Sequence, residues 1–349
     1  MHFQTIKSEF YCGVDAHSRK SHVCIMDNAG KILAQKNIQN NFQTFKEFLN
    51  PFLPDVSVGC ESTYTYYWIS DGCKKNNIPF YLGHALYMKA ISGDKIKNDP
   101  LNAKTIADLM RTNFLPEAYP YPEKMRPTRD LLRRRHRLVH LRAEAITHIQ
   151  LISHQNAIEG IDGALIKDRE QWDEIARIFK EYNMASTIQT DLDVINSLTP
   201  VIKSVEKEIR DNAIYHNPKD FLILKTAPGI GEILGLIILY ETHNIGRFPR
   251  HQNYASYSRV VRCEQISNGK VTGRKHNKMG NPYLKWAFNA MIIPARKSSE
   301  SISKYYQRLE SRYGKPRAKA RLAHKFCKAV YYMLKNKAPF NEKKFFGRY

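Results

Sequence analysis

The sequence predicts an α/β fold in its N-terminal region and a mainly α-helical fold in the remainder. Short β-prone runs alternate with helical patterns up to about residue 110. A connection rich in proline and tyrosine, residues 120–127, follows them. Beyond this connection, apolar residues recur at intervals of three and four, which is typical of packed helices.

The first predicted strands form hairpins. The apolar run 10–14 ends at the carboxylate of Asp15, and a second run, 22–26, closes in the turn 27–30 before a strand pattern resumes at 32–34. A buried carboxylate at the end of a strand is costly unless a positive group meets it. A divalent metal or a neighbouring Lys or Arg would meet that need.

Two further acids follow the same arrangement. The β-prone run 56–60 ends at Glu61, after which we expect a helix that opens at residues 63–65 and continues through residue 69, and then a strand at 79–82. Asp99 precedes a proline and a predicted helix, 101–110. Each acid alone could be a cap, a turn residue or a surface charge, but three carboxylates from separate elements are typical of a metal-dependent nuclease core.

The charge of the chain favours a polyanionic partner. Its 349 residues include 55 Lys and Arg against 33 Asp and Glu, a formal net charge of +22. Such an excess favours nucleic acid first, with a soluble basic protein of no such partner as the alternative and an anionic membrane surface as the third choice. No apolar stretch reaches the length of a membrane span, and the N-terminus lacks the pattern of a signal peptide.

Cysteine usage indicates a reducing compartment. Six cysteines, at positions 12, 24, 60, 73, 263 and 327, are scattered without a CxxC pair. This usage is typical of reduced thiols in a cytosol and argues against a disulfide framework or a zinc site. We therefore expect a cytoplasmic protein.

Two long helices are predicted in the middle of the chain. One carries an apolar seam of Leu138, Leu141, Ala145, Ile149 and Ile152, and the other a seam of Leu192, Ile195, Leu198, Ile202, Val205 and Ile209. The two predict an antiparallel coiled-coil hairpin that either braces a domain or dimerises the protein. With a second boundary at Asn217-Pro218, the predicted segments are 1–124, 125–216 and 217–349.

The first of these helices begins with a cluster of arginines: Arg133, Arg134, Arg135, Arg137 and Arg142. They predict either a solvated helix face or a stripe that contacts phosphates. The basic tail 312–349, with twelve Lys and Arg against one acid, has aromatic residues interleaved and favours a nucleic-acid contact.

A glycine-containing turn, residues 227–231, joins two helical patterns as in a helix-hairpin-helix. Its glycines, Gly229 and Gly231, would let backbone N–H groups and a helix N-terminus approach a phosphate. A plain tight turn in a helical domain is the alternative.

Ser267 stands in a polar, glycine-containing stretch among cations. A serine there could attack a phosphodiester, because cations stabilise the developing charge, although most loop serines have no such role. The surrounding basic residues are Arg262, Lys270, Arg274, Lys275 and Lys278.

Taken in order, these stretches resemble the DEDD transposases of bacterial insertion sequences, recombinases whose element also encodes a guide ("bridge") RNA. The matching segments are 13–17, 60–62, 97–103, 227–231, 267–270 and 278–284. The resemblance implies a RuvC-like, RNase H-type catalytic domain (1–124), a coiled-coil region (125–216) and a C-terminal transposase domain with a serine nucleophile (217–349).

The resemblance also implies roles for single residues. Asp15, Glu61 and Asp99 become Mg²⁺ ligands, and the position of the family's fourth acid holds Asn102, whose amide oxygen could still ligate a metal with lower affinity. Ser267 becomes the nucleophile that forms a 5′-phosphoserine link to DNA.

The implied partners are donor DNA, target DNA and the bridge RNA, with dimers that pair into a tetramer. A site completed across protomers and a location at the bacterial nucleoid follow from the same resemblance. The alternatives are a hydrolytic RuvC-type Holliday-junction nuclease in which Ser267 is structural, and a non-catalytic nucleic-acid-binding scaffold, for which Asn102 is the best argument.

Overall fold

The computed structural model describes residue 3 and residues 5–92, 99–213, 217–261, 264–268, 270–274 and 279–347, of which positions 92, 99, 100, 264–266, 270, 271, 273 and 274 are described by backbone alone. The chain divides into two compact units, Met1–Lys124 and Met125–Tyr349. No helix in these described ranges is both long and apolar enough to span a membrane.

The first unit is built on a mixed five-stranded sheet. Its strands are β1 (Phe10–Ala16), β2 (Lys20–Asp27), β3 (Ile32–Gln39), β4 (Val56–Glu61) and β5 (Phe80–Gly83). Their order is β3-β2-β1-β4-β5, in which the first three are antiparallel neighbours while β4 runs parallel to β1 and β5 parallel to β4. The carboxyl ends of β1, β4 and β5 therefore lie at one edge of the sheet.

Helices cover both faces of this sheet. They are α1 (Phe42–Leu49), α2 (Tyr67–Lys75), α3 (Ala85–Ser92) and α4 (Asp99–Arg111). Cys12 and Val14 of β1 pack in a core with Phe45 of α1 and Ile69 of α2, whereas Tyr11 packs with α4 in a second core. Because successive strand residues face opposite sides, β1 is apolar on both, which explains its continuous hydrophobic run.

Glycines allow α4 to cross the sheet closely. A Cβ at Gly13 would collide with the backbone carbonyl of Ala103, and one at Gly59 would collide with the sulfur of Met110. Residues 13 and 15 share a face of β1, as 59 and 61 share a face of β4. The close crossing thus places the first turn of α4 beside the carboxyl end of β1.

The prediction of an α/β N-terminal region is confirmed by this sheet, and one predicted boundary was wrong. The helix expected from residues 63–65 begins only at Tyr67. The reason is that Thr65 Oγ1 donates a hydrogen bond of 2.7 Å to the carbonyl of Ala16 on β1, which holds residues 62–65 in a series of bends.

The second unit begins with a long antiparallel helix pair, α5 (Arg126–Gln155) and α7 (Tyr182–Ala213), with the short α6 (Trp172–Ile178) between them. Side-chain contacts pair Arg135 with Glu206 and His148 with Asp191, which shows that α5 and α7 run in opposite directions. Ile149 and Leu192 are fully buried in their seam. Leu141, predicted in the seam, is instead 37% exposed.

The rest of this unit is mainly helical. It contains α8 (Pro218–Lys225), α9 (Glu232–Thr242), α10 (His251–Tyr257), strands β6 (Glu264–Ser267) and β7 (Lys270–Arg274), α11 (Pro282–Ala290), α12 (Ile292–Ser298), α13 (Glu300–Tyr313), α14 (Lys315–Asn336) and α15 (Glu342–Phe346). Leu132 of α5 and Ile209 of α7 share one core with Tyr240 and Phe288. The start of α5 and the end of α7 therefore pack together with the helices beyond residue 217.

Candidate functional site

Two carboxylates lie at the carboxyl edge of the sheet in the first unit. Val14 of β1 and Cys60 of β4 are partners in the parallel register. Asp15 and Glu61 each follow by one residue, so they leave neighbouring strands side by side and on the face that α4 covers. Asp15 is 7% exposed and Glu61 is half-buried.

Asn102, in the first turn of α4, contacts the first of these acids. Its amide nitrogen donates a hydrogen bond of 2.9 Å to Asp15 Oδ2. The close packing of α4 on Gly13 sets this distance, because Ala103 is the residue whose carbonyl lies against that glycine. The amide hydrogens of Asn102, rather than its oxygen, face the carboxylate.

The sequence patterns gave no role to His17, which belongs to the same edge. Its Nε2 lies 3.4 Å from Asp15 Oδ2, and half of its side chain is exposed. The spacing of two residues from Asp15 could have identified it, since alternate residues of an extended chain share a face.

The pKa of the Cys60 thiol is affected by both acids. Burial raises the pKa of Cys60, and the nearby carboxylates of Asp15 and Glu61 raise it further. The thiol therefore stays protonated and unreactive at neutral pH. The five described cysteines, at positions 12, 24, 60, 73 and 327, are all buried free thiols.

The donor set at this edge fits a hard divalent cation. Carboxylate and amide oxygens are the ligands that Mg²⁺ takes in proteins, and Asp15, Glu61 and Asn102 carry them. Asp99 begins α4 three residues before Asn102, but its side chain lies outside the described part of the structure. Among described side chains, His, Cys, Asp and Glu form no group of three close enough to hold a metal.

Ser267 lies in the second unit, at the end of β6. Its side chain is exposed, and its backbone pairs with Lys270 of β7 across a turn in which Asn268 has a φ of 48°. The expectation of a loop was wrong here, because Asn268-Gly269 between the β-branched Ile266 and Val271 is a strong hairpin signal. Of the predicted cations around it, Lys270 and Arg274 lie in β7, while Arg262, Lys275 and Lys278 fall outside the described residues.

The segment that carries this hairpin is fastened to α10 at its ends. Arg259 Nε donates to the carbonyl of Met279 at 3.0 Å, and the N–H of Asn281 donates to the carbonyl of Tyr257 at 2.6 Å. Gly280 has a φ of 94°, and a Cβ there would collide with the carbonyl of Tyr257. The chain thus enters and leaves the hairpin segment at fixed points.

A buried carboxylate, Glu241, which the sequence patterns did not identify, joins three parts of this unit. It is 1% exposed and accepts hydrogen bonds from Arg129 at 3.0 Å, Arg133 at 2.7 Å and Asn281 at 2.7 Å. Burial acts to raise the pKa of Glu241, but the hydrogen bonds and charges of Arg133 and Arg129, with the hydrogen bond from Asn281, lower it overall. Glu241 is therefore an anion at neutral pH.

The structure separates the predicted arginine stripe into two sets. Arg133 is paired with Glu241, and Arg135 donates two hydrogen bonds, of 2.8 and 2.6 Å, to Glu206 Oε1. Arg142 lies 3.3 Å from the hydroxyl of Thr199. Arg134 and Arg137 are exposed, so these two have the orientation that a phosphate contact requires.

The two glycines of the predicted helix-hairpin-helix have different environments. Gly229 has a φ of 81°, and a Cβ there would collide with the carbonyl of Met291. Its role in the fold is to let the turn pack against α12. Gly231 is the N-cap of α9 and has open space where its Cβ would be, so this helix N-terminus is accessible.

The basic tail has buried rings and exposed cations. Phe326 and Tyr331 are 0% and 3% exposed, so both rings belong to the core and are not available to stack on a base. Exposed cations cluster around the start of α14: Arg312, Lys315, Arg317, Lys319 and Arg321.

Comparison with known families identifies the chain. A DEDD transposase model of the IS110 type matches residues 12–154, which contain Asp15, Glu61, Asp99 and Asn102. A second model, described as transposase of the IS116/IS110/IS902 family, matches residues 222–307, which contain Ser267. No curated protein sequence matches the chain significantly. The two family matches together cover more than half of the chain in the expected order, and the protein belongs to the IS110 family of transposases, enzymes that act on DNA.

Proposed function

We propose that this transposase cuts and rejoins donor and target DNA through a covalent link to Ser267, with a bridge RNA that selects both DNA sites by base pairing. The observation that carries the proposal is the exposure of Ser267 at the end of β6, on a hairpin segment that is fastened at both ends. An exposed hydroxyl on an anchored hairpin can reach a phosphate of a bound strand.

The reaction conserves phosphodiester bonds. Ser267 Oγ attacks a scissile phosphate, the P–O3′ bond breaks, and the strand keeps a 5′-phosphoserine link while the 3′-oxygen leaves as a hydroxyl. The proton that the serine loses balances the one that the 3′-oxygen gains. In the rejoining step a 3′-hydroxyl of another strand attacks the same phosphorus and releases Ser267, so no external energy source is required.

The carboxylate edge of the first unit is the proposed Mg²⁺ site, with Asp15, Glu61 and Asp99 as ligands and Asn102 as a fourth, neutral one. Held there, Mg²⁺ would stabilise the negative charge that develops in a phosphoryl transfer. The protein's own contribution is to fix the donors: neighbouring strands hold Asp15 and Glu61 side by side, and the Asn102 amide holds Asp15 Oδ2.

Exposed cations and backbone donors are the proposed nucleic-acid contacts. In this proposal Arg134, Arg137, Gly231 and the cations near the start of α14 contact phosphates, together with Lys270, Arg274, Lys275 and Lys278, which follow Ser267 in the sequence. The net charge of +22 supports this assignment. Pairing of dimers into a tetramer on donor and target DNA is part of the same proposal.

A covalent adduct tests the proposal. Full-length protein with bridge RNA, Mg²⁺ and labelled DNA should give a protein–DNA adduct that resists denaturation, and Ser267→Ala should abolish it. Ser256→Ala is the matched control, because Ser256 is an exposed serine on α10 of the same unit; it should leave the adduct intact.

The hydrolytic nuclease is the second candidate, favoured by the Asp15 and Glu61 pair, which lies side by side at one edge of the sheet. In that case the ends carry free 5′-phosphates, no adduct forms, and Ser267→Ala still cuts. Nucleic-acid binding without any cutting or strand exchange would instead indicate the non-catalytic scaffold.

A further inference from the structure

Residues 62–65, here called the rim segment, connect Glu61 to α2 and are attached to all three parallel strand ends. The N–H of Ser62 donates to the carbonyl of Gly83 at 2.8 Å, and the hydroxyl of Ser62 accepts from the N–H of Ala85 at 3.3 Å. On the other side, Thr65 Oγ1 donates to the carbonyl of Ala16 at 2.7 Å. The rim segment is therefore held against the carboxylate edge.

Tyr64 projects from the rim segment into solvent. Its side chain is 81% exposed, whereas Tyr66, two residues later, is 6% exposed and meets the ring of Tyr67 edge-to-face, with ring centroids 4.7 Å apart. The core beneath the rim segment is thus filled by other rings, and packing does not account for Tyr64. In the described part of the chain one other tyrosine is as exposed: Tyr182, 84%, at the start of α7 in the second unit.

A nucleic-acid strand that approaches this carboxylate edge meets negative charge. Asp15 and Glu61 repel phosphates unless a cation is bound, so the strand needs a contact that does not depend on its phosphates. Stacking of an unpaired base on an aromatic ring is such a contact, and it tolerates any base because every base has a π-face. Tyr64 stands three residues from Glu61, on an anchored segment, with its ring free to accept a base.

The geometry points to Tyr64 as a stacking platform for an unpaired base of the DNA strand that is cut, next to the scissile phosphate. This inference rests on the proposed function in one respect, that the carboxylate edge is where DNA is processed. Tyr64 acts here as a positioning residue: its ring orients the strand and takes no part in bond making.

Photocrosslinking tests the contact directly. Full-length protein in a Ser267→Ala background, so that no strand is consumed, is irradiated with single-stranded DNA that contains 5-iododeoxyuridine, and the crosslinked peptide is mapped. A crosslink at Tyr64 is expected, and it should be absent in Tyr64→Ala and present in Tyr64→Phe, since the ring and not the hydroxyl makes the contact. A parallel arm uses RNA with 5-iodouridine; a crosslink at Tyr64 from RNA but not from DNA overturns the inference.

Affinity gives the second readout. Tyr64→Ala should weaken binding of the single-stranded DNA by about tenfold, the loss of one stacked base, and Tyr64→Phe should restore it. Tyr182→Ala, equally exposed but in the other unit, should bind as the parent does. Equal affinity for Tyr64→Ala and Tyr182→Ala overturns the inference.

Failure of this inference can be told apart from failure of the proposed function. If Ser267→Ala still formed an adduct, the serine mechanism would fail, while a crosslink that mapped to Tyr64 would still support the inference, because it records a base contact and not a cleavage step. If the adduct depended on Ser267 and no crosslink mapped to Tyr64, the inference alone would fail.

Discussion

The amide nitrogen of Asn102 lies 2.9 Å from Asp15 Oδ2 and donates a hydrogen bond to it. A carboxylate at position 102 would have no proton to donate at neutral pH and would add a negative charge beside Asp15. The amide therefore makes the edge of the sheet stable without a cation, which a fourth acid would not do.

Asn102→Asp should make the stability of the protein depend on divalent cations. Without Mg²⁺ the lost hydrogen bond and the added repulsion should lower the free energy of unfolding by about 1–3 kcal/mol. Mg²⁺ should recover most of the loss, because a cation binds an extra carboxylate more tightly than an amide. Thermal unfolding in EDTA and in Mg²⁺ measures both effects.

Asn102→Ala separates the two causes. It removes the hydrogen bond and the proposed amide ligand without adding charge, so Mg²⁺ should not recover its loss of stability. An equal loss for Asn102→Asp in both conditions would contradict a cation site at this position. If position 102 contributes a ligand, Asn102→Asp should also raise activity at low Mg²⁺.

Glu241→Gln should destabilise the second unit strongly. The substitution leaves the charges of Arg129, with 8% of its side chain exposed, and Arg133 without their counterion. Breaking a buried ion pair from one side costs about 3–5 kcal/mol. Urea unfolding at neutral pH gives the difference, and Glu300→Gln, in an exposed pair with Lys304, is the control that should change little.

The stability difference between the parent protein and Glu241→Gln should depend on pH. Because the pKa of Glu241 is lowered in the folded state, its stabilisation is fully present above the ordinary carboxyl value of 4.5 and is lost as pH falls through the lower, folded pKa. The stability difference between the parent and Glu241→Gln should therefore shrink below pH 4.5. A difference that stayed constant down to unfolding would argue that Glu241 is not ionised in the fold.

Arg134 and Arg137 should contribute to nucleic-acid binding and not to stability. Changing both to Gln should reduce the slope of log K against log salt by about 0.9 for each phosphate of duplex DNA that an arginine no longer neutralises, with unfolding unchanged. Arg135→Gln should do the reverse, because Arg135 is paired with Glu206. Binding titrations at several salt concentrations, with an unfolding curve for each variant, distinguish the two sets.

Gly229 and Gly231 should respond differently to alanine. Gly229→Ala forces a side chain into a positive φ and against the Met291 carbonyl, so it should cost more than about 1 kcal/mol. Gly231→Ala meets open space and gives up only a modest N-cap preference, within about 1 kcal/mol. Similar melting temperatures for both variants would disprove the packing of Gly229 on α12.

Local patterns were sufficient for the strands and the long helices. The continuous apolar run of β1 and the acid that follows it predicted both the strand and the exit of Asp15 at its end, because a strand fixes where its last side chain points. The hairpin at Ser267 also has a local signal, the Asn268-Gly269 turn, but the polar composition of the surrounding stretch is that of a loop.

The sequence could not predict which side chains pair when they are far apart along the chain. Arg133, Arg134 and Arg135 are three consecutive identical side chains, and composition treats them alike. Their roles differ because a helix points successive residues in directions about 100° apart, so that Glu241 lies beside one of them and Glu206 beside another.

By itself the sequence determined the N-terminal strands, the long helices, the family and the positions that carry acids, serine and cations, since these follow from short-range periodicity and motif order. Only the tertiary structure decided that Asn102 donates to Asp15 and that Glu241 holds two arginines. It also decided that Tyr64 faces solvent. The physical reason is that a hydrogen bond or an exposed ring depends on which distant backbone passes within a few ångströms, and that is fixed only when the helices and strands pack.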